Sequence, residues 1–121
     1  MSPRSAPSED ADSFLPLPTA VFHILVALAD QERHGYAIMQ DVAARTDGKV
    51  RLGPGTLYGS IKRLLEDGLI EEHDGRDPDG DVRRRYYKIT RQGRKVAMEE
   101  TARLSALLRH ARAVGLVPKT V

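Results

Sequence analysis

The stretch Gly53-Pro54-Gly55-Thr56-Leu57-Tyr58-Gly59-Ser60-Ile61-Lys62-Arg63-Leu64-Leu65-Glu66-Asp67-Gly68 decides the fold. Its opening Gly-Pro-Gly breaks whatever precedes it. Thr56 can cap or open the helix that follows, placed at about Pro54 to Asp67. Leu57, Ile61, Leu64 and Leu65 recur at i, i+4, i+7 and i+8, which is one apolar helix face. Gly68 stands at the position where such a helix stops in a left-handed residue. Opposite the apolar face lie Thr56, Gly59, Ser60 and Arg63, with Tyr58 and Lys62 at the flanks. The segment is a short helix with one core edge and one polar, basic edge.

Upstream, Gly35 to about Arg45 reads as a surface helix with the stripe Tyr36, Met39, Val42, Ala43, stopped by Asp47-Gly48. Before it, Pro18-Thr19 opens a helix to Ala29 that is apolar on nearly all sides. Such a helix must be buried nearly all round, with one face on its own core and the other on a second subunit. Downstream, Leu69 to His73 and Arg84 to Thr90 read as two strands joined by a charged tip, Asp74 to Asp81. A last helix, about Arg91 to Val114, takes Thr90 as N-cap. Along it Ala97, Thr101, Leu104, Leu108 and Ala111 repeat in steps of four and three, widened by Val96, Leu107 and Val114. With no later element to cover it, that stripe needs a partner.

Three helices followed by a two-stranded wing make a winged helix-turn-helix. The expected class is mainly α with a small antiparallel β wing, followed by a C-terminal dimerisation helix. The expected layout is a disordered tail over 1–13, rich in Ser, Pro and Asp, a winged-helix DNA-binding domain over 14–90, and the dimerisation helix and tail over 91–121.

A length of 121 residues suits one domain, and a core this small favours oligomerisation. The absence of cysteine excludes disulfides and thiolate metal sites. The longest apolar run, Ala20 to Ala29, is too short to cross a bilayer, and the first thirteen residues lack the apolar stretch of a secretory leader. A cytoplasmic protein with no membrane partner is expected. The net charge of +2 says little by itself. Basic residues concentrate between Lys49 and Lys95, which points to a localised anionic partner, here double-stranded DNA.

The helix after Gly53 is the candidate recognition helix, because an α-helix fits the major groove. Thr56 and Ser60 hydroxyls can bond to bases or phosphates, Tyr58 can donate to a phosphate, and Lys62 or Arg63 can neutralise phosphates or read guanine. Gly59 permits close approach to a backbone or neighbour. The wing adds Arg83, Arg84 and Arg85 at its base and Arg76 nearer its tip. Asp74, Asp77, Asp79 and Asp81 oppose them, and are expected to lie outside the contact. The plain alternative is that the polar residues are the solvated side of an amphipathic helix. A rival class, a winged helix acting only as a protein-interaction module, is motivated by the modest net charge and the acidic tip.

The segments His34-Gly35-Tyr36-Ala37-Ile38, Gly55-Thr56-Leu57-Tyr58, Ile61-Lys62-Arg63-Leu64, Asp67-Gly68-Leu69-Ile70 and Arg85-Tyr86-Tyr87-Lys88-Ile89-Thr90, with Gly93 shortly after, resemble in order and spacing the PadR family of bacterial transcriptional regulators. The resemblance covers roughly Leu17 to Lys95 and is closest to the branch with a single long C-terminal helix. It implies a dimeric regulator, usually a repressor, whose last helix dimerises with the partner's first helix. It also implies DNA contacts at Thr56, Tyr58 and Lys62. The expected dimer surface is Phe22, Leu25, Ala97, Leu104, Leu107, Leu108 and Ala111, and by family analogy a hydrophobic small-molecule effector is expected at that interface. Two departures stand out. Gly59 occupies a position where the family often has proline, which should loosen the helix start. The chain has no tryptophan, so planar ligands cannot be gripped between tryptophans as in some relatives.

Other chemistry is not expected. His23, His34, His73 and His110 are not spaced as metal ligands, and His23 reads as a satisfied core or interface residue. Gly53-Pro54-Gly55 lacks the lysine and spacing of a phosphate loop. The pairs Glu66-Asp67, Glu71-Glu72 and Glu99-Glu100 read as solvated surface, and no nucleophile has a base. Neither an enzyme nor a cofactor is expected.

Overall fold

The computed structural model describes residues 11–76 and 83–118. Helix α1 (Thr19–Asp30) leads through a two-residue strand β1 (Arg33–His34) into α2 (Gly35–Arg45). Helix α3 (Pro54–Glu66) is followed by β2 (Ile70–Arg76), β3 (Arg83–Ile89) and the long α4 (Arg91–Ala113). The strands form an antiparallel sheet in the order β1-β3-β2, with His34 opposite Tyr86 and Ile70 opposite Ile89. The expected mainly helical winged fold is what the chain adopts. Strand β1 was not anticipated, because two residues carry no periodicity. Part of the expected wing tip, Asp74 to Arg76, continues strand β2, and Asp77 to Asp81 lie outside the described residues.

One core collects Ile24 and Leu25 from α1, Ile38 from α2, Leu57 and Leu64 from α3, and Val96 from α4. The expected stripe on α2 needs correction. Val42 is buried and Met39 packs against the core as expected, but Tyr36 is 56% exposed, and Gly35 and Ile38 turn inward in its place. The start of α2 sets this phase: His34 Nδ1 accepts from the Ala37 backbone N–H at 3.1 Å, which fixes Gly35 as the first helical residue. Arg33 holds the preceding turn by donating to the Ala27 carbonyl at 3.0 Å and reaching Asp30 and Asp41 at 2.8 and 3.1 Å. The first of these satisfies a carbonyl that the end of α1 leaves without a helical partner.

Helix α3 ends as expected. Gly68, at φ +73°, lets Leu69 N–H donate to Leu64 and its own N–H to Leu65, the paired bonds of a left-handed stop. That turn is tied to α4. The Thr90 hydroxyl donates to the Gly68 carbonyl at 2.8 Å and accepts from Gly93 N–H at 3.0 Å. The Thr90 backbone N–H donates to Leu69 at 3.1 Å. One residue therefore caps α4 and fastens it to the end of α3.

Of the tail expected to be disordered over 1–13, residues 1–10 lie outside the described residues. Ala11–Phe14 form a turn of 3-10 helix, with Ala11 buried. Nearby, Glu100 is a buried carboxylate, gripped by both Arg103 guanidinium branches at 2.6 and 2.8 Å. The Arg103 hydrogen bond, with help from the Leu17 backbone, holds the Glu100 carboxyl below its ordinary value despite the opposing effect of burial. A carboxyl lowered in the folded state stabilises above the unfolded value, near 4.5, and the contribution disappears as pH falls through the folded value. Glu100→Gln should therefore cost about 1–3 kcal/mol at neutral pH. The melting gap to wild type should narrow as the pH is lowered below 4.5. A gap that stays constant across that range would show that the charge is not its source.

Candidate nucleic-acid interface

Three buried side chains, Leu57, Ile61 and Leu64, fix the rotation of α3 about its own axis. The same rotation leaves Thr56, Tyr58, Gly59, Lys62 and Arg63 exposed, while Ser60 is half-buried. Thr56 is not the cap. Gly53 precedes the helix and Pro54 opens it, as suits a residue without an N–H. Thr56 thus stands in the first turn, on the polar edge. Gly59 does not interrupt α3, and a Cβ built on it would meet nothing within 4 Å, so no neighbour in the chain requires its smallness.

Charge pairing separates the basic residues. Arg33 and Arg45 are engaged with Asp30 and Asp41. Arg85 lies 3.6 Å from Glu72 and Lys88 3.6 Å from Glu71. Arg63 is only loosely paired, at 3.9 Å from Asp67, and is well exposed, so the pair offers little resistance to rearrangement. Lys62 is exposed and has no ion-pair partner among the described residues. Lys49 and Arg51, in the turn between α2 and α3, share that property. Sequence reasoning marked the start of the basic region at Lys49 but did not single out these two. Their place between the two helices of the helix-turn-helix was the available signal.

On the wing, Arg84 is half-buried and faces Gly75 across the ladder, and exposed Arg85 faces Asp74. The backbones of Arg76 and Arg83 pair at the far end of the described ladder, and their side chains lie outside the described residues. The wing and α3 meet at a cleft of about 190 Å³ bordered by Gly35, Tyr36, Tyr58, Arg84 and Arg85 and by the buried Tyr87. Burial, then the nearby Glu72, pushes the Tyr87 phenol up, which keeps it protonated. A Cβ on Gly35 would lie 2.4 Å from the Tyr58 hydroxyl. Only glycine leaves room for that ring to lie across the start of α2. Gly35 and Tyr36 entered the sequence reading as parts of a motif and of a supposed core stripe, not as site residues.

A second surface lies on the other side of α1. Phe22, Val26 and Ala29 recur along one edge and, with Ala97, Met98 and Ala102 of α4, line an apolar groove of about 420 Å³. Leu25 does not belong to it. Leu25 is wholly inside the chain's own core, and Val26 takes the outward position expected of it. No residue of α4 beyond Glu100 is buried, and Leu104, Leu107 and Leu108 stand exposed, with Ala111 half-buried. No helix among the described residues is long and apolar enough to cross a membrane, and no group of side chains among them could hold a metal ion.

These elements define a winged helix-turn-helix protein with an extended C-terminal helix. The profile of the transcriptional regulator PadR-like family matches residues 24–99, and the chain belongs to that family. Its members are transcriptional regulators, not enzymes. The transcriptional regulator Rv3488 of Mycobacterium tuberculosis is 38% identical over 87 residues, covering 72% of this chain and 77% of its own. A transcriptional regulator from Clostridium thermocellum superposes with a TM-score of 0.67 at 26% identity, over 77% of this chain and 89% of that one. The fold is also that of Bacillus subtilis PadR in complex with operator DNA, at a TM-score of 0.60 and 19% identity, over 69% of this chain and 47% of that one.

Proposed function

We propose that the chain is a homodimeric, sequence-specific DNA-binding repressor that inserts α3 into the major groove of a pseudo-palindromic operator. The observation that carries this reading is the exposed edge of α3, where Thr56, Tyr58 and Lys62, which has no ion-pair partner among the described residues, are held outward by three buried residues of the same helix. The operator complex of Bacillus subtilis PadR, which shares the fold, supports it. Lys49 and Arg51 beside α3, and Arg84 and Arg85 at the wing base, would meet flanking phosphates. Such a protein acts in the cytoplasm. The test is selection of bound sequences from a random duplex pool at near-physiological salt. A two-fold symmetric motif is expected, with half-sites about 10 or 20 bp apart, and affinity falling steeply with salt. Failure to recover a motif, with weak binding that salt abolishes, would favour a protein-interaction module instead.

The second subunit is assigned to the α1–α4 groove. The groove and the exposed leucines of α4 are both apolar and lie on one chain, so a two-fold pair can bury each against the other. Leu104→Asp with Leu108→Asp should convert a dimer to a monomer and make the melting temperature independent of protein concentration. Sedimentation would check this, and a variant that remains dimeric would exclude the surface. A hydrophobic effector would act in the same groove, where it competes with partner side chains. A thermal-shift screen of apolar compounds tests that reading, and an absence of stabilisation counts against it.

A further inference from the structure

We infer that the cleft between α2, α3 and β3 seats one phosphodiester of the DNA backbone, with Tyr36 as a phosphate contact that sets the register of α3 in the groove. The inference rests on the DNA-binding reading above and assigns a role to residues outside the recognition helix. Six side chains able to donate border the cleft: three phenols, Tyr36, Tyr58 and the buried Tyr87, two guanidiniums, Arg84 and Arg85, and the His34 imidazole. No carboxylate lines it among the described residues, although the chain carries seventeen Asp and Glu. Glu72 approaches the Arg85 guanidinium to 3.6 Å without lining the cleft. A cleft rich in donor groups and lined by no carboxylate among the described residues suits an anion, and guanidiniums in particular suit phosphate oxygens.

Position selects the source of that anion. The cleft lies where the wing base meets the recognition helix, so a DNA strand leaving the groove beside α3 passes it before reaching the wing. Tyr36 and Tyr58 are the large hydrophobic side chains that stand exposed among the described residues of the winged domain, at 56% and 49%. Exposed aromatic rings with a polar tip are what a wet, phosphate-lined contact uses. Gly35 completes the device, because its missing Cβ lets the Tyr58 hydroxyl lie against α2 and so places both phenols at one opening.

The test uses the full chain and the duplex recovered by selection. Each phosphate is replaced in turn by a neutral methylphosphonate, and binding is measured for wild type, Tyr36→Phe and Lys62→Ala. Tyr36→Phe should fold normally and bind roughly 100-fold more weakly, the loss of one hydrogen bond to a charged group in each half-site. It should also lose the sensitivity that wild type shows at one phosphate in each half-site, while Lys62→Ala keeps that sensitivity and loses another. Wild-type affinity in Tyr36→Phe, or an unchanged phosphate profile, overturns the cleft assignment and leaves the DNA reading standing if Lys62→Ala is weakened. A wild-type protein that binds no duplex overturns both. Stabilisation of the free protein by inorganic phosphate at constant ionic strength, lost in Tyr36→Phe while the duplex profile stays unchanged, would give the cleft to a free anion and overturn the inference.

Discussion

Gly93→Ala should melt about 10 °C or more below wild type, a loss of roughly 3 kcal/mol or more. A Cβ on Gly93 would lie 1.9 Å from the Leu69 carbonyl oxygen and 2.9 Å from its carbon. Both are backbone atoms, so no rotamer change relieves the contact. Either α4 moves off the α3–β2 turn or the turn gives way. Both routes break the Thr90 bonds to Gly68 and Leu69 that tie α4 to the turn. The control is Gly59→Ala, also inside a helix, where a Cβ meets nothing within 4 Å. Alanine there should be neutral or stabilise by about 0.5–1 kcal/mol, because glycine is the poorer helix former. Urea unfolding of both variants decides the matter. A Gly93→Ala protein as stable as Gly59→Ala would mean that the α4–turn junction is not as close as the structure places it.

Tyr58→Ala combined with Lys62→Ala should lower operator affinity roughly 100-fold or more, since each contact is made twice in a dimer. Both side chains are exposed, so the fold should survive with only a modest change in melting. The slope of log affinity against log salt should become shallower by about 2, one phosphate contact per protomer for Lys62. Titration at several salt concentrations measures both quantities. Undiminished binding with a normal melting curve would remove α3 from the DNA interface. A weaker complex with the same salt slope would instead assign Lys62 to a base edge.

The recognition helix was legible because its period is strong. Leu57, Ile61 and Leu64 are four and three residues apart, so the polar edge opposite them followed by geometry, and Thr56, Tyr58, Lys62 and Arg63 are where that geometry puts them. The phase of α2 was misread. Its apolar residues include one, Tyr36, whose ring lies outside, and Ile38 was passed over for it. Hydrophobicity alone does not distinguish a core tyrosine from an exposed one. Leu25 was misplaced for a related reason: α1 is apolar on nearly every side, so its sequence carries little information about which face meets which neighbour.

Local pattern by itself determined the order of the four helices and the two wing strands, the stop at Gly68, the cap at Thr90 and the polar edge of α3. These depend on residues within a turn or two of one another. Tertiary structure alone decided what depends on distant segments meeting. Arg33 and His34 become a strand only because Tyr86 and Tyr87 lie beside them. Gly93 is required only because Leu69 lies under it, and Gly35 only because Tyr58 lies across it. The cleft of Tyr36, Tyr58, Arg84 and Arg85 draws on three elements spread over some fifty residues, and no period in the sequence registers their approach.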